Sequence, residues 1–514
     1  MNRDGAKKSI WQEEIKRFPD GAGPDRKFEV IIVGGGITGV STALQLQSEG
    51  KKCLLLEASN IGFGTTGGTT AHLNDFFDTP YYEVIKKFGL AKAKLLHKAA
   101  KEAIHIIDTN VQQYNIDCDF QYKYAYLFAL DENQEKELED MVKGSAKVGH
   151  SMNFIYDIPF PIPFKKAVFI KDQAQFHPIK YINGLCEAFI QKGGTIREGC
   201  RCEKHTIKDN EVIIHTTQGT FTADFLVYAT HIPPGVNSLH LMNAPYRSYA
   251  IAFTLKNEEY PNVLGYDLNE PYRYYRLYEQ EDQQFLIAGG EDHKSGHGKD
   301  TEQYFARLEK YVRTHFDVDE IVNSWSSQYF EPIDGLPYIG KMQGGKEKVF
   351  ASTGFRGNGM IYGSITSKVL SDLIIRGDSE YRKLFNPQRI KPVSGFDNFI
   401  KEETDVVFNF VKDKLFIKKL NSLSDIKDGE GRVVKYKNES FAIYKEPNQK
   451  LHVLKSSCTH THCEVHWNGA EKTWDCPCHG SRYNINGDVL NAPAVKNLER
   501  LDLDTDELLS NSKS

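Results

Sequence analysis

The feature that most constrains this chain is a strand, a glycine loop, a helix and a second strand packed into about thirty residues. Phe28-Glu29-Val30-Ile31-Ile32-Val33 reads as a buried strand and runs straight into Gly34-Gly35-Gly36-Ile37-Thr38-Gly39. A helical stretch, Val40 to Gln47, is stopped by Gly50. A second apolar strand, Cys53-Leu54-Leu55-Leu56, then ends at Glu57. Each glycine has a physical task. Gly34 permits the tight turn, Gly36 lets backbone approach a pyrophosphate, and Gly39 lets helix and strand pack closely. The unpaired amides at the start of the helix (Ile37, Thr38) attract phosphate. Glu57, followed by Ala58, can accept hydrogen bonds from a ribose. The unit therefore predicts a dinucleotide site at the edge of a parallel sheet.

Later segments extend this site. Ile61 to His72 is a second Gly/Thr-rich loop containing Gly64, Thr65, Thr66, Ala71 and His72. Phe225-Leu226-Val227-Tyr228-Ala229-Thr230 is another apolar strand with small residues at its end. Asp334-Gly335-Leu336-Pro337 precedes Gly354-Phe355-Arg356-Gly357-Asn358-Gly359-Met360, which opens a helix running to about Ile375. A glycine-rich helix start suits the edge of a flavin on which negative charge appears upon reduction.

On these residues the chain from 28 to about 380 resembles FAD-dependent oxidoreductases of the D-amino-acid oxidase type, similar to glycine and sarcosine oxidases. The resemblance implies a Rossmann-type, glutathione-reductase-like α/β FAD domain interleaved with an antiparallel substrate-binding sheet. It also implies oxidation of a C–N bond. The expected FAD contacts are Gly34, Gly36, Ile37, Thr38, Gly39, Glu57, Ala58, Gly64, Thr65, Thr66, Ala71, His72, Cys202, Ala229, Thr230, Gly335, Gly354, Gly357, Asn358, Gly359 and Met360. Relatives that carry flavin on a His have it after a Ser/Thr-Trp pair. Gly67-Gly68 stand there in this chain, so FAD is expected to be noncovalent.

The C-terminal region carries a second signal. Cys458-Thr459-His460 and Cys476-Pro477-Cys478-His479 each supply one Cys and one His. Two Cys and two His could bind zinc, but zinc sites usually pair like with like. Mixed loops suit a [2Fe–2S] cluster in which thiolates hold one iron and imidazoles the other. From about 413 the pattern is one of short strands and turns, an all-β domain. Residues 413–505 resemble Rieske proteins. The resemblance puts Cys458, His460, Cys476 and His479 at the ligand positions and implies a disulfide between Cys463 and Cys478. It also makes Ser481 and Tyr483 hydroxyl donors to cluster sulfur. Thr461-His462 departs from the usual Leu-Gly.

Domains are expected as follows. Residues 1–27 form a polar extension anchored by Trp11. Residues 28–110, 179–240 and 330–380 form the FAD domain, and 111–178 and 241–329 the substrate domain. Residues 381–412 connect to the Rieske domain, 413–514. Helices are expected over 84–110 and 131–147, and sheet over 240–290. With 64 basic and 69 acidic residues the net charge is -5, which gives no electrostatic drive toward nucleic acid. No apolar run is long enough to cross a bilayer, and Met1 to Lys8 lacks the apolar core of a secretory leader. A cytoplasmic protein without membrane insertion is expected.

Along Tyr272-Arg273-Tyr274-Tyr275-Arg276, alternation points Tyr272, Tyr274 and Arg276 one way and Arg273 and Tyr275 the other. Tyr275, Arg276, Arg356 and His72 are the candidate catalytic residues, an Arg serving as carboxylate clamp. His293 and His297 have metal-like spacing, but Ser295 and the glycines beside it argue for a loop. Trp467 and Trp474 are read as packing. A mononuclear-iron oxygenase would need a domain after the Rieske loops, and an NAD(P)H-driven reductase a second glycine βαβ unit, so neither is expected. The sequence therefore points to a flavin dehydrogenase for an amine or amino acid. By family analogy a secondary or N-methylated amino acid is preferred over a polyamine. Electrons would pass from reduced flavin to the Rieske cluster and on to a carrier protein or quinone. The alternative is a flavin amine oxidase that uses oxygen directly, with the Rieske domain as sensor or docking module.

Overall fold

A computed structural model describes residues 3–12, 16–19, 21, 26–298, 300–389, 426–436 and 439–501. The expected connecting segment beyond residue 389 and the first residues of the Rieske region lie outside these.

The strand Lys27–Val33 is apolar over its last four residues because both faces are covered. It pairs in parallel with Gly219–Tyr228 on one side and Cys53–Leu56 on the other. The sheet runs Tyr338–Lys341, Val349–Thr353, Gly219–Tyr228, Lys27–Val33, Cys53–Leu56, Thr195–Arg197, with Cys202–Lys208 and Glu211–Thr216 added as an antiparallel flap. Helices Ile37–Ser48, Leu90–Gln113 and Gly359–Arg376 bury their apolar faces in one large core with this sheet. Helical segments Tyr81–Phe88 and Glu132–Val148 complete the expected pattern.

The second sheet has nine strands in the order Val318–Pro332, Asn243–Leu255, Gln283–Lys294, Tyr274–Gln280, Leu264–Asp267, Gln121–Ala129, Lys166–Gln175, His72–Leu73, with Asn153–Ile155 on a side branch. It is antiparallel except where Leu264–Asp267 lies parallel to Gln121–Ala129. His72–Leu73 joins it from within the 28–110 segment assigned to the flavin half. That crossing brings the two sheets together around one cavity.

Residues 426–501 form two small antiparallel sheets, Gly431–Tyr436 with Glu439–Lys445 and Leu451–Lys455, and His466–Asn468 through Val489–Asn491. Trp474 is fully buried and its ring lies 4.9 Å from that of Trp467, so both pack as expected.

The N-terminal segment departs most from its reading as a polar extension. Arg3, Asp4, Ser9 and Trp11 are buried. Asp4 pairs with Arg482 at 3.0 Å and with Arg3 at 2.9 Å. Glu471 lies 3.5 Å from Arg3 and 3.7 Å from Arg247, and Asp475 lies 3.1 Å from Arg482. Three cations and three anions thus neutralise one another where N-terminal segment, substrate sheet and Rieske domain meet. The polarity that suggested solvent is spent inside the protein, since buried charges persist when paired.

Candidate functional site

At the end of Lys27–Val33 the chain turns through Gly34, whose φ of +117° favours glycine. The helix Ile37–Ser48 begins there with its first amide directed to Thr66 Oγ1 at 3.1 Å. Glu57 accepts hydrogen bonds from the amides of Gly35 and Ser59, both at 2.7 Å. Burial pushes its carboxyl up, and those two amides oppose the shift. The bonds fix the carboxylate where a ribose would lie.

A cavity of about 440 Å³ opens from this loop and reaches the second sheet. It is lined by every expected cofactor residue except Gly39, Ala71, Gly335 and Gly354. Those four act one layer back. A side chain at Gly39 would strike the Gly34 carbonyl, and Ala71 is wholly buried with its carbonyl turned to Arg276. Gly335 packs on Thr79, and Gly354 on Asn243 and Pro332. Cys202 lines the cavity with its thiol pushed up to about 12 by burial. The glycine cradle, the buried acid and the helix start Asn358–Met360 fit a bound FAD. At Gly68, the position a flavin-bearing His would take, an added Cβ would lie 2.7 Å from Ser327 Oγ.

Of the four candidate catalytic residues, His72 and Arg356 line the cavity and Tyr275 and Arg276 do not. Tyr275 points to the far side of the sheet, among Phe160 and Phe316. Arg276 shares the face of Tyr272 and Tyr274 but lies beneath the His72 crossing. There its Nη1 donates to the carbonyls of Thr70, Ala71 and Phe176 at 3.0–3.1 Å. It is a structural cation, not a clamp. Tyr272 and Tyr274 do line the cavity, as alternation suggested. His72 is held well below its usual pKa by burial and by Arg276, so it is neutral. Arg356 bonds Thr79 Oγ1 at 2.8 Å and faces Glu331 at 3.3 Å. His293 sits 3.0 Å from Tyr249 OH and stacks on Tyr304, which accounts for it without metal.

Sequence reasoning missed Asp78, Asp292, Tyr266, Gln328 and Tyr329, all in the cavity wall. They come from separate strands and loops and carry no local pattern. It also missed Leu490, Asn491, Ala492, Ala494 and Val495, through which the Rieske domain walls the same cavity.

The cluster cage lies just behind that wall. Cys458 and Cys476 are buried, and the rings of His460 and His479 are 5.0 Å apart and perpendicular. Both ring nitrogens of His460 are buried without a hydrogen bond of ordinary geometry, and the Gly235 backbone lies beside the ring; a ligand that binds iron through one nitrogen and donates its other N–H to a carbonyl would fit there. Cys458 is drawn below the ordinary thiol range, chiefly by its hydrogen bond with Cys476, whose own thiol is pushed up by the same contact. Tyr483 OH lies 3.2 Å from Cys458 Sγ. The disulfide Cys463–Cys478 joins the two loops. Thr461 Oγ1 sits 3.4 Å from His479 Nδ1, so the departure from Leu-Gly puts a hydroxyl against a ligand ring. The donor set and its burial fit a [2Fe–2S] cluster.

The cage is tied to the flavin half. Gln328, in the cavity wall, donates through Nε2 to the Gly480 carbonyl at 2.8 Å, next to His479. Ala494 N donates to Ser481 Oγ at 3.0 Å. The ring of His240 lies 4.7 Å from that of His460 and 5.8 Å from that of His479. The histidine side of the cage therefore faces protein.

Comparison with known proteins agrees with this geometry. The family model for FAD-dependent oxidoreductases matches residues 29–373, and that for the Rieske [2Fe–2S] domain matches 417–502. The chain belongs to the FAD-dependent oxidoreductase family. This Rieske-bearing flavoenzyme has FAD and a [2Fe–2S] cluster as cofactors. It is 32% identical over 484 residues to the putative Rieske 2Fe-2S iron-sulfur protein YhfW of Bacillus subtilis, covering 93% of this chain and 94% of that one. It is 24% identical to gamma-glutamylputrescine oxidoreductase of Escherichia coli, over 68% of this chain and 84% of that one. Among solved structures, glycine oxidase from Geobacillus kaustophilus superposes with a TM-score of 0.59 at 17% identity, covering 71% of this chain and all of that one. Among the described residues no helix is long and apolar enough to cross a membrane.

Proposed function

We propose that this flavoenzyme oxidises a C–N bond of a small amine or amino acid and delivers the electrons through its own Rieske domain to a one-electron carrier protein or a quinone. The observation that carries this reading is the shared wall. One cavity is lined by the glycine loop, by the substrate sheet and by residues 490–495 of the Rieske domain, and Gln328 joins it to the residue beside His479. Bound FAD supplies the acceptor for the C–N oxidation, and the cluster supplies a one-electron outlet.

The residues of the chain have distinct parts in this scheme. The helix start at Ile37 and Thr38 and the glycine loop would hold the pyrophosphate of a bound FAD. Glu57 would orient its ribose. The helix start at Gly359 would offer its positive dipole end to the negative charge that a bound flavin gains on reduction. The tyrosines of the sheet and neutral His72, which line the cavity, would enclose a bound substrate and limit its contact with bulk water. Tyr483 OH, 3.2 Å from Cys458 Sγ, would favour a reduced cluster by donating to that sulfur. The relatives named above support the substrate class, one being an oxidoreductase of a putrescine derivative and another a glycine oxidase. A cytoplasmic setting belongs to the same reading, since Cys53, Cys118, Cys186, Cys200 and Cys202 are buried free thiols.

The test is anaerobic addition of amines and amino acids to the holoenzyme, with flavin bleaching read by absorbance and the cluster by EPR. A substrate that bleaches flavin and develops the reduced-cluster signal supports the scheme. Bleaching with the cluster left oxidised would break the link and favour direct use of oxygen.

A further inference from the structure

The charges around the substrate end of the cavity narrow the substrate class, on the assumption that the C–N oxidation above is right. Asp292, near the end of the strand Gln283–Lys294, lines the cavity. Tyr329 OH donates to its Oδ2 at 2.9 Å, and Ser248 also interacts with the carboxylate and opposes the effect of burial, while Oδ1 is buried without a hydrogen bond of ordinary geometry. The charges acting on it most strongly are Asp78 and Glu331, both negative. Asp78 also lines the cavity, held by Tyr272 OH at 3.1 Å and by the Gly357 amide at 2.7 Å.

The cations are already engaged. Arg356 faces Glu331 at 3.3 Å and bonds Thr79. Arg276 is spent on three backbone carbonyls outside the cavity. Arg201 lines the other end, near Glu57, and donates to the Val489 carbonyl at 2.8 Å. A substrate carboxylate would meet Asp78 and Asp292, with only the Arg356 guanidinium, already neutralised by Glu331, in reach. A substrate ammonium would meet two carboxylates and the rings of Tyr266, Tyr272, Tyr274 and Tyr329, a set that attracts cations by charge and by ring quadrupole.

We propose that the cavity selects a substrate with surplus positive charge, a diamine or polyamine, one ammonium of which docks on Asp292 while the other amine presents its C–N bond to the flavin. Burial and the neighbouring acids push the Asp292 carboxyl up to about 7, the state of a carboxylate lacking its cation, and a docked ammonium would relieve this.

The experiment is anaerobic flavin bleaching of the holoenzyme by α,ω-diamines of three to six carbons, by alkyl monoamines of the same lengths, and by glycine, sarcosine and proline. Diamines should bleach the flavin at lower concentration than monoamines. In Asp292→Asn the diamine-over-monoamine preference should fall by about thirtyfold or more, the loss expected when one partner of a buried charge pair is removed. Asp292→Glu should restore part of it. An unchanged preference in Asp292→Asn overturns the assignment. Bleaching by the amino acids alone overturns the inference and leaves the C–N reading standing; no bleaching by any amine or amino acid sinks that reading as well. Should Asp292→Asn fail to hold FAD, the wild-type protein decides. A butyltrimethylammonium ion, which cannot form an imine, should perturb the flavin spectrum and compete with diamine, whereas butyrate should do neither. The reverse pattern overturns the proposal.

Discussion

The cluster cage takes its four candidate ligands and its disulfide from one stretch, Cys458–His479, whereas the chamber beside the flavin loop is walled by residues as distant as Asp78, Tyr266, Asp292, Tyr329 and Ala494. In the cage the chemistry is fixed by a few side chains whose spacing is set by two short loops. In the chamber it is fixed by the order of strands in a nine-stranded sheet and by how a separate domain closes one side. The cage can be recognised in any protein that carries those loops. The chamber belongs to this chain, and its charge follows from which strand ends meet there.

If the cage is autonomous, destroying it should spare the chamber. Cys476→Ser should remove essentially all iron and labile sulfide, with loss of the cluster EPR signal, while the protein still binds FAD. Loss of FAD along with the iron would show that the cavity wall at residues 490–495 depends on the cluster. The next largest effect tests the seam between the regions. Glu471 accepts from Ser326 N at 2.9 Å and Ser326 Oγ at 2.6 Å and balances Arg3 and Arg247. Glu471→Ala leaves buried cations uncompensated and should cost about 3–5 kcal/mol in denaturant unfolding. A change below about 1 kcal/mol would mean that the Rieske domain is held elsewhere.

A smaller effect belongs to the chamber alone. With Asp292 raised to about 7 by burial, its charge is complete above that pH and is lost as pH falls through it. The half-saturating concentration of butyltrimethylammonium, whose charge does not titrate, should therefore be flat above neutrality and rise about tenfold per unit below it. The curve should lose this limb in Asp292→Asn. The smallest effect belongs to the cage. Tyr483→Phe removes one hydroxyl from Cys458 Sγ. A hydrogen bond of about 1 kcal/mol corresponds to a cluster potential lower by roughly 40 mV, measurable by redox titration. An unchanged potential would show that Tyr483 serves only Thr459, to which it is also bonded.

The same contrast explains what could be read from the chain. The strand–loop–helix unit at Phe28–Glu57 and the Cys/His loops are local devices, so both cofactors were legible, as were most of the residues that line the cavity beside the glycine loop. The alternation along Tyr272–Arg276 was legible too, but not that the strand runs under His72, where Arg276 meets carbonyls instead of substrate. Asp78 and Asp292 look like ordinary polar residues, because only the meeting of distant strands makes them a pair. Arg3 and Asp4 read as solvated because their partners, Glu471 and Arg482, lie at the other end of the chain. Polarity reports burial poorly where charges neutralise each other.

The central claim is that the flavin site and the cluster exchange electrons through the wall they share, within one molecule. It is tested most directly by rapid mixing of substrate with oxygen-free holoenzyme at several protein concentrations, with cluster reduction followed by rapid-freeze EPR. The account predicts that the cluster becomes reduced after the flavin at a rate independent of protein concentration. A rate proportional to protein concentration, or a cluster that stays oxidised beside a bleached flavin, would contradict it.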